Sequence, residues 1–196
     1  DATDGFNADF SSSSLPAGWA LSGTATLTGG GVDAEGDGVL RLTSTGNSEF
    51  GGARSANAIS NEEGLSFDIE VHAWGGSGAD GMVFFLYDGA TDESTFSLGQ
   101  SGGSLGYFGA DDTSGLTNGV LAIGFDEFGN FGSAAGGSNT QDQVVLVGSS
   151  NDITSGPLAA ASTGFSLDNT SATTRPVEGD LGYYKTRLVI TPDETN

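Results

Sequence analysis

Along much of this chain apolar residues recur at every second position, the spacing of a β-strand with one wet face. Leu65 to Trp74 is the clearest case: Leu65, Phe67, Ile69, Val71 and Ala73 fall on one face, and Ser66, Asp68, Glu70 and His72 on the other. From Trp19 onward, Leu21, Gly23, Ala25 and Leu27 alternate with Ser22, Thr24, Thr26 and Thr28, after an opening segment carrying Phe6 and Phe10 and a turn at Leu15-Pro16-Ala17-Gly18. Val39 to Thr43 and Tyr183 to Thr191 also read as strands, and Gly164 to Leu167 as the single strand of a Ser-, Thr- and Gly-rich stretch. Three further runs, Met82 to Leu86, Val120 to Ile123 and Val144 to Val147, are apolar without alternation and predict strands covered on both faces. No segment has helical periodicity long enough to cover a sheet, so the covering layer must be another sheet. The pattern predicts an all-β fold, an antiparallel β-sandwich in jelly-roll arrangement with negligible helix.

Composition sharpens this picture. A chain of 196 residues suits one domain spanning residues 1–196, and its 12 Phe supply bulky core material. The 34 Gly follow no repeat, which excludes collagen and predicts many tight turns. Asp and Glu outnumber Lys and Arg 26 to 5, for a formal charge of -21. Such a surface repels nucleic acid and anionic lipid and attracts cations, which leaves neutral molecules as partners; the charge also serves solubility in salty surroundings. There is no Cys, so disulfides, thiolate metal sites and Cys nucleophiles are excluded. No apolar run approaches the ~18 residues of a membrane-spanning helix.

Candidate chemistry gathers where the Val120 run ends, in Gly124-Phe125-Asp126-Glu127-Phe128-Gly129-Asn130. Asp126 and Asn130 stand four apart with a Gly between them, so a turn after the strand could fold both side chains and the Phe128 carbonyl around one hard cation such as calcium. The same spacing also suits a solvated Asx turn. His72, the only histidine, lies on the polar face of its strand and reads as a solvated strand residue. Asp126 and Glu127 are adjacent and point to opposite faces, whereas retaining glycosidases need two carboxylates about 5 to 5.5 Å apart, so hydrolysis is disfavoured and the chain is read as a non-enzyme.

Three blocks, Gly78 to Leu86 (GADGMVFFL), Gly102 to Phe108 (GGSLGYF) and Ile123 to Asn130 (IGFDEFGN), occur in the order found in L-type lectins, and the chain resembles that family from about Phe6 to Thr191. The family comprises legume lectins, eukaryotic cargo-receptor lectins and related domains of bacterial surface adhesins, the RTX type among them. The resemblance implies a concanavalin-like sandwich and a calcium-dependent carbohydrate-binding module, acting in adhesion or biofilm at the cell surface or outside the cell as part of a larger protein. The alternative is a structural or protein-binding module of such an adhesin. It implies that Asp80 accepts hydrogen bonds from two sugar hydroxyls after a cis Ala79–Asp80 peptide, that the Gly103 amide and the Asn130 side chain donate to the sugar, and that Phe128 packs against it, with Phe131 as a substitute platform. For either Phe plain core packing is the other reading, and for the Gly103 segment a simple turn. One or two calcium ions are implied on Asp126, the Phe128 carbonyl, Asn130 and Asp142, with Asp152 as second choice for the last. The legume Glu position is Gly124 and no His follows, so no transition metal is expected. The family's last strands have no counterpart after Thr191, which predicts a C-terminally incomplete domain completed by a second chain or fragment.

Overall fold

A computed structural model describes residues 8–192; Phe6 and the end of the predicted terminal turn, residues 193–196, lie outside them. The fold is all-β, with ten strands, one short α-helix and one turn of 3-10 helix among the described residues. The chain divides into two compact units, one formed by Thr45–Ser48 and Val71–Tyr184, the other by the remaining described residues.

The predicted strand from Trp19 forms as β1 (Trp19–Gly23) and β2 (Thr26–Leu27), broken where a Cβ on Gly23 would strike the Phe50 carbonyl. β2 pairs antiparallel with β3 (Leu40–Arg41), a shorter strand than the Val39 to Thr43 run suggested. β1 pairs antiparallel with β4 (Gly51–Ser55), whose Gly-Gly-Ala-Arg-Ser sequence shows no period. β5 (Leu65–His72) keeps the alternation of its sequence, with Ser66, Asp68 and Glu70 exposed between more buried neighbours.

The site-bearing unit is built on a four-stranded sheet. Its strands β6 (Gly81–Tyr87), β7 (Gly119–Asp126), β8 (Gln143–Val147) and β9 (Ala159–Ser162) lie side by side in that order, each pair antiparallel. β10 (Tyr183–Ile190) pairs with β5, where Arg187 meets Asp68 at 2.6 Å and Lys185 meets Glu70 at 3.5 Å.

Register aligns Phe85, Ala122 and Val147 in one row across β6, β7 and β8, and Val83, Gly124 and Val145 in the next. This face is roofed by Tyr107, Phe108, Leu116, Phe131 and Ala135, all at most 1% exposed, which come from segments outside the sheet. Burying each large side chain contributes on the order of 1.5 to 3 kcal/mol, so the roof is a principal source of this unit's stability.

Covering of both strand faces is less complete than the apolar runs predicted. Val120 is 53% exposed, Val144 and Leu146 are half-buried, and every residue of β6 is half-buried. Only the C-terminal half of β7, Ala122 to Asp126, is buried throughout. No strand forms at Gly164 to Leu167; the strand of this region is β9, five residues upstream. Gly164 turns with φ +75° and the Leu167 amide donates to Asp142 Oδ1 at 2.9 Å, so Leu167 is buried by a turn while Phe165 faces out. His72, expected as a solvated strand residue, is instead half-buried, its Nδ1 2.9 Å from the Pro176 carbonyl and its ring against Tyr183.

Candidate functional site

β7 ends at Asp126, a fully buried carboxylate. Its Oδ1 accepts the Gly129 amide at 2.8 Å, and its Oδ2 accepts the Gly132 amide at 2.8 Å and Gln143 Nε2 at 3.3 Å. These bonds reverse the chain through Gly129, at φ +95°, and start the short helix α1 (Asn130–Ala134). A side chain at 129 would meet the Thr140 backbone at 2.9 Å, so glycine is needed there for space as well as for conformation.

The turn places Asn130 against two other segments. Its Nδ2 donates to Asp80 Oδ1 at 3.1 Å, and its Oδ1 accepts Asn139 Nδ2 at 3.0 Å. Only an amide nitrogen can donate to the carboxylate, so the Asp80 contact fixes the orientation of the Asn130 amide. Asp80 immediately precedes β6, and the Ala79–Asp80 peptide is cis, the geometry implied by the resemblance. Gly103 sits in the 3-10 turn Gly102–Ser104, where an added Cβ would lie 2.5 Å from Asn130 Cβ. Gly102 is close as well, its Cβ position 3.6 Å from Asp80 Oδ2. Three residues from three distant stretches, Asp80, Gly103 and Asn130, therefore meet at one point. Among the described residues no donor reaches Asp80 Oδ2.

The two phenylalanines separate. Phe128, two residues before Asn130, is 44% exposed, whereas Phe131 is fully buried, its ring tilted against Phe108 with centroids 5.3 Å apart. Phe131 belongs to the core and is not available as a platform. Its ring covers Gly124, where an added Cβ would lie 2.3 Å from Phe131 Cδ1.

Three of the expected calcium ligands are engaged by protein donors. Asp126 is satisfied by three N–H groups, Asn130 Oδ1 by Asn139, and Asp142 points to another segment: its Oδ1 accepts the Leu167 amide at 2.9 Å and its carbonyl accepts Thr163 Oγ1 at 2.9 Å. Asp152, the second choice, caps the Thr154 and Ser155 amides at the surface, and the Ser155 hydroxyl first and then these amides lower its carboxyl below the usual range. Among the described residues no group of three or more His, Cys, Asp or Glu side chains stands where it could hold a metal ion. The donor types suit calcium, while the oxygens of Asp126 and Asn130 are held by N–H donors in this arrangement.

Glu127, adjacent to Asp126 in the sequence, carries no ligand role from that position. Its carboxyl is pushed up to about 7, first by burial and then by the carboxylates of Asp168, Asp142, Asp126 and Asp80. Gln143 and Asn139 were likewise unmarked, since a polar residue beside an apolar run carries no signal of what it will touch. No family model matches the chain, and no curated protein matches it in sequence.

Proposed function

We propose that this chain is a carbohydrate-binding module whose sugar seat is Asp80, Gly103 and Asn130. The observation that carries the reading is the convergence of these residues, 23 and 27 positions apart in sequence, with Asn130 Nδ2 on Asp80 Oδ1 at 3.1 Å and Gly103 held against Asn130. Asp80 offers an open carboxylate oxygen to sugar hydroxyls, and charge-assisted bonds of this kind are the stronger ones. Asn130 keeps its second amide hydrogen for a sugar oxygen, and the bare Gly103 backbone lets a ligand come close. Phe128, exposed two residues before Asn130, is of a type that suits the apolar face of a sugar ring.

The ligand class is a neutral sugar or polysaccharide, consistent with a surface of charge -21. Binding rather than hydrolysis is favoured because the Asp126 carboxylate is consumed by the Gly129 and Gly132 amides. The setting we propose is a cell-surface or extracellular adhesin of which this chain is one part. A glycan array read with the wild type and with Asp80→Ala tests the assignment. Loss of binding by a variant that still folds supports it; equal binding of the same glycans by both proteins refutes it.

A further inference from the structure

The loop joining β7 to β8 starts and ends on buried polar side chains. Asp126 and Gln143 are paired on the last rung of the β7–β8 ladder, 0% and 3% exposed. A buried carboxylate must be compensated, either by a cation or by N–H donors aimed at its oxygens. Here the donors are the amides of Gly129 and Gly132, each at 2.8 Å, and Gln143 Nε2 at 3.3 Å.

The surrounding space is also filled. The Phe131 ring lies over Gly124, the position at which the legume pattern would put a second metal-binding carboxylate. A Cβ on Gly132 would fall 2.4 Å from Gln143 Nε2, so residue 132 must lack a side chain for the Gln143 amide to reach Asp126. Further along the loop Asn139 Nδ2 takes Asn130 Oδ1 at 3.0 Å, the oxygen that would otherwise face a cation. That contact turns the Asn130 amide nitrogen to Asp80.

We propose that Gln143, with Asn139 and the amides of Gly129 and Gly132, closes this loop in place of a calcium ion, and that the Asp80–Gly103–Asn130 seat forms with no metal bound. Gln143 is a positioning residue in this arrangement. Only the second half of the proposal rests on the carbohydrate-binding reading; the closure is a property of the loop itself.

The test uses the whole chain in excess chelator and in excess calcium. The melting temperature is the same in both, because a cation with no site in the folded form cannot stabilise it by mass action. Gln143→Ala lowers it by about 3 to 6 °C in both, the loss of one hydrogen bond to a charged group. Gln143→Glu sets a second carboxylate beside Asp126, melts lower in chelator and regains stability with calcium, a response that mere packing damage would not produce. A wild-type melting temperature that rises with calcium, or a Gln143→Glu variant indifferent to it, overturns the closure. If the variants do not fold, hydrogen exchange on the wild type decides: equal protection of the Gly129 and Gly132 amides in both buffers supports the closure, and protection only with calcium overturns it. Glycan binding of equal strength in both buffers supports the metal-free seat, and binding only with calcium overturns it. Absence of glycan binding in either buffer counts against the carbohydrate-binding reading and the seat together, while melting and exchange still judge the loop.

Discussion

The ring of Phe131 occupies the volume that a side chain at residue 124 would need: a Cβ there would lie 2.3 Å from Phe131 Cδ1 and 2.4 Å from Cε1. Gly124 is therefore a packing requirement of the roof over the four-stranded sheet. Gly124→Ala is expected to destabilise the protein by ~1 to 3 kcal/mol, the usual cost of overpacking. Urea denaturation measures this. Combining it with Phe131→Leu should cost less than the sum of the two single changes, because the second substitution relieves the first.

Two buried tyrosines should respond oppositely to loss of the hydroxyl. Tyr107 OH donates to the Gly148 carbonyl at 2.6 Å, so Tyr107→Phe removes a bond and leaves a buried acceptor, costing about 1 to 2 kcal/mol. Tyr184 lies tilted against Phe125 with centroids 5.2 Å apart, but its hydroxyl is buried with no partner among the described residues. Tyr184→Phe keeps the ring contact, sheds an unsatisfied group, and is expected to be neutral or to stabilise by up to about 1 kcal/mol. Thermal melts of both variants at one pH give the comparison.

Glu127 sets a pH dependence with a definite sign. Its carboxyl titrates near 7 in the folded protein against an ordinary 4.5, so the folded form holds the proton more tightly. The associated stability is complete below about 4.5 and is lost as pH rises through about 7. Glu127→Gln should abolish that fall, leaving the variant more stable than the wild type by about 3 kcal/mol above the titration. Denaturation at several pH values across the window checks it; a wild type whose stability does not fall there would be incompatible with a buried Glu127.

At the seat, Asn130→Asp keeps size but replaces the donor facing Asp80 Oδ1 at 3.1 Å with a second carboxylate. Binding of any glycan found for the wild type should weaken by tenfold or more, roughly the worth of one charge-assisted hydrogen bond. Isothermal titration at neutral pH measures it. Lowering the pH, which protonates one of the two acids, should recover part of the loss.

The long elements were legible because burial imposes a period on sequence: β5 and β10 alternate, and the apolar runs located β6, β7 and β8 to within a few residues. β4 and β9 were not, since Gly-Gly-Ala-Arg-Ser and Ala-Ala-Ala-Ser have no large side chains to sort between faces. Gly164 to Leu167 forms no strand although Phe165 and Leu167 alternate, because the Asp142 carboxylate holds the Leu167 amide in a turn. At the site, the meeting of Asp80, Gly103 and Asn130 could be read only from the order of three sequence blocks. Gln143, Asn139 and the inward course of Phe131 depend on what the folded chain sets beside them, and no local pattern carries that.

β9 ends the four-stranded sheet, and all four of its residues are exposed. Alanine does little to shield the backbone of such an edge, and the strand carries neither a charged side chain nor a proline of its own. Copies of the protein are then kept from adding strand to strand chiefly by mutual repulsion, for which a charge of -21 is ample in dilute buffer. That protection is colloidal rather than steric, and it fades as salt shortens the Debye length or as acidification approaches the isoelectric point near 4.1. The acidity that keeps this chain dispersed thus doubles as the guard of an exposed strand edge.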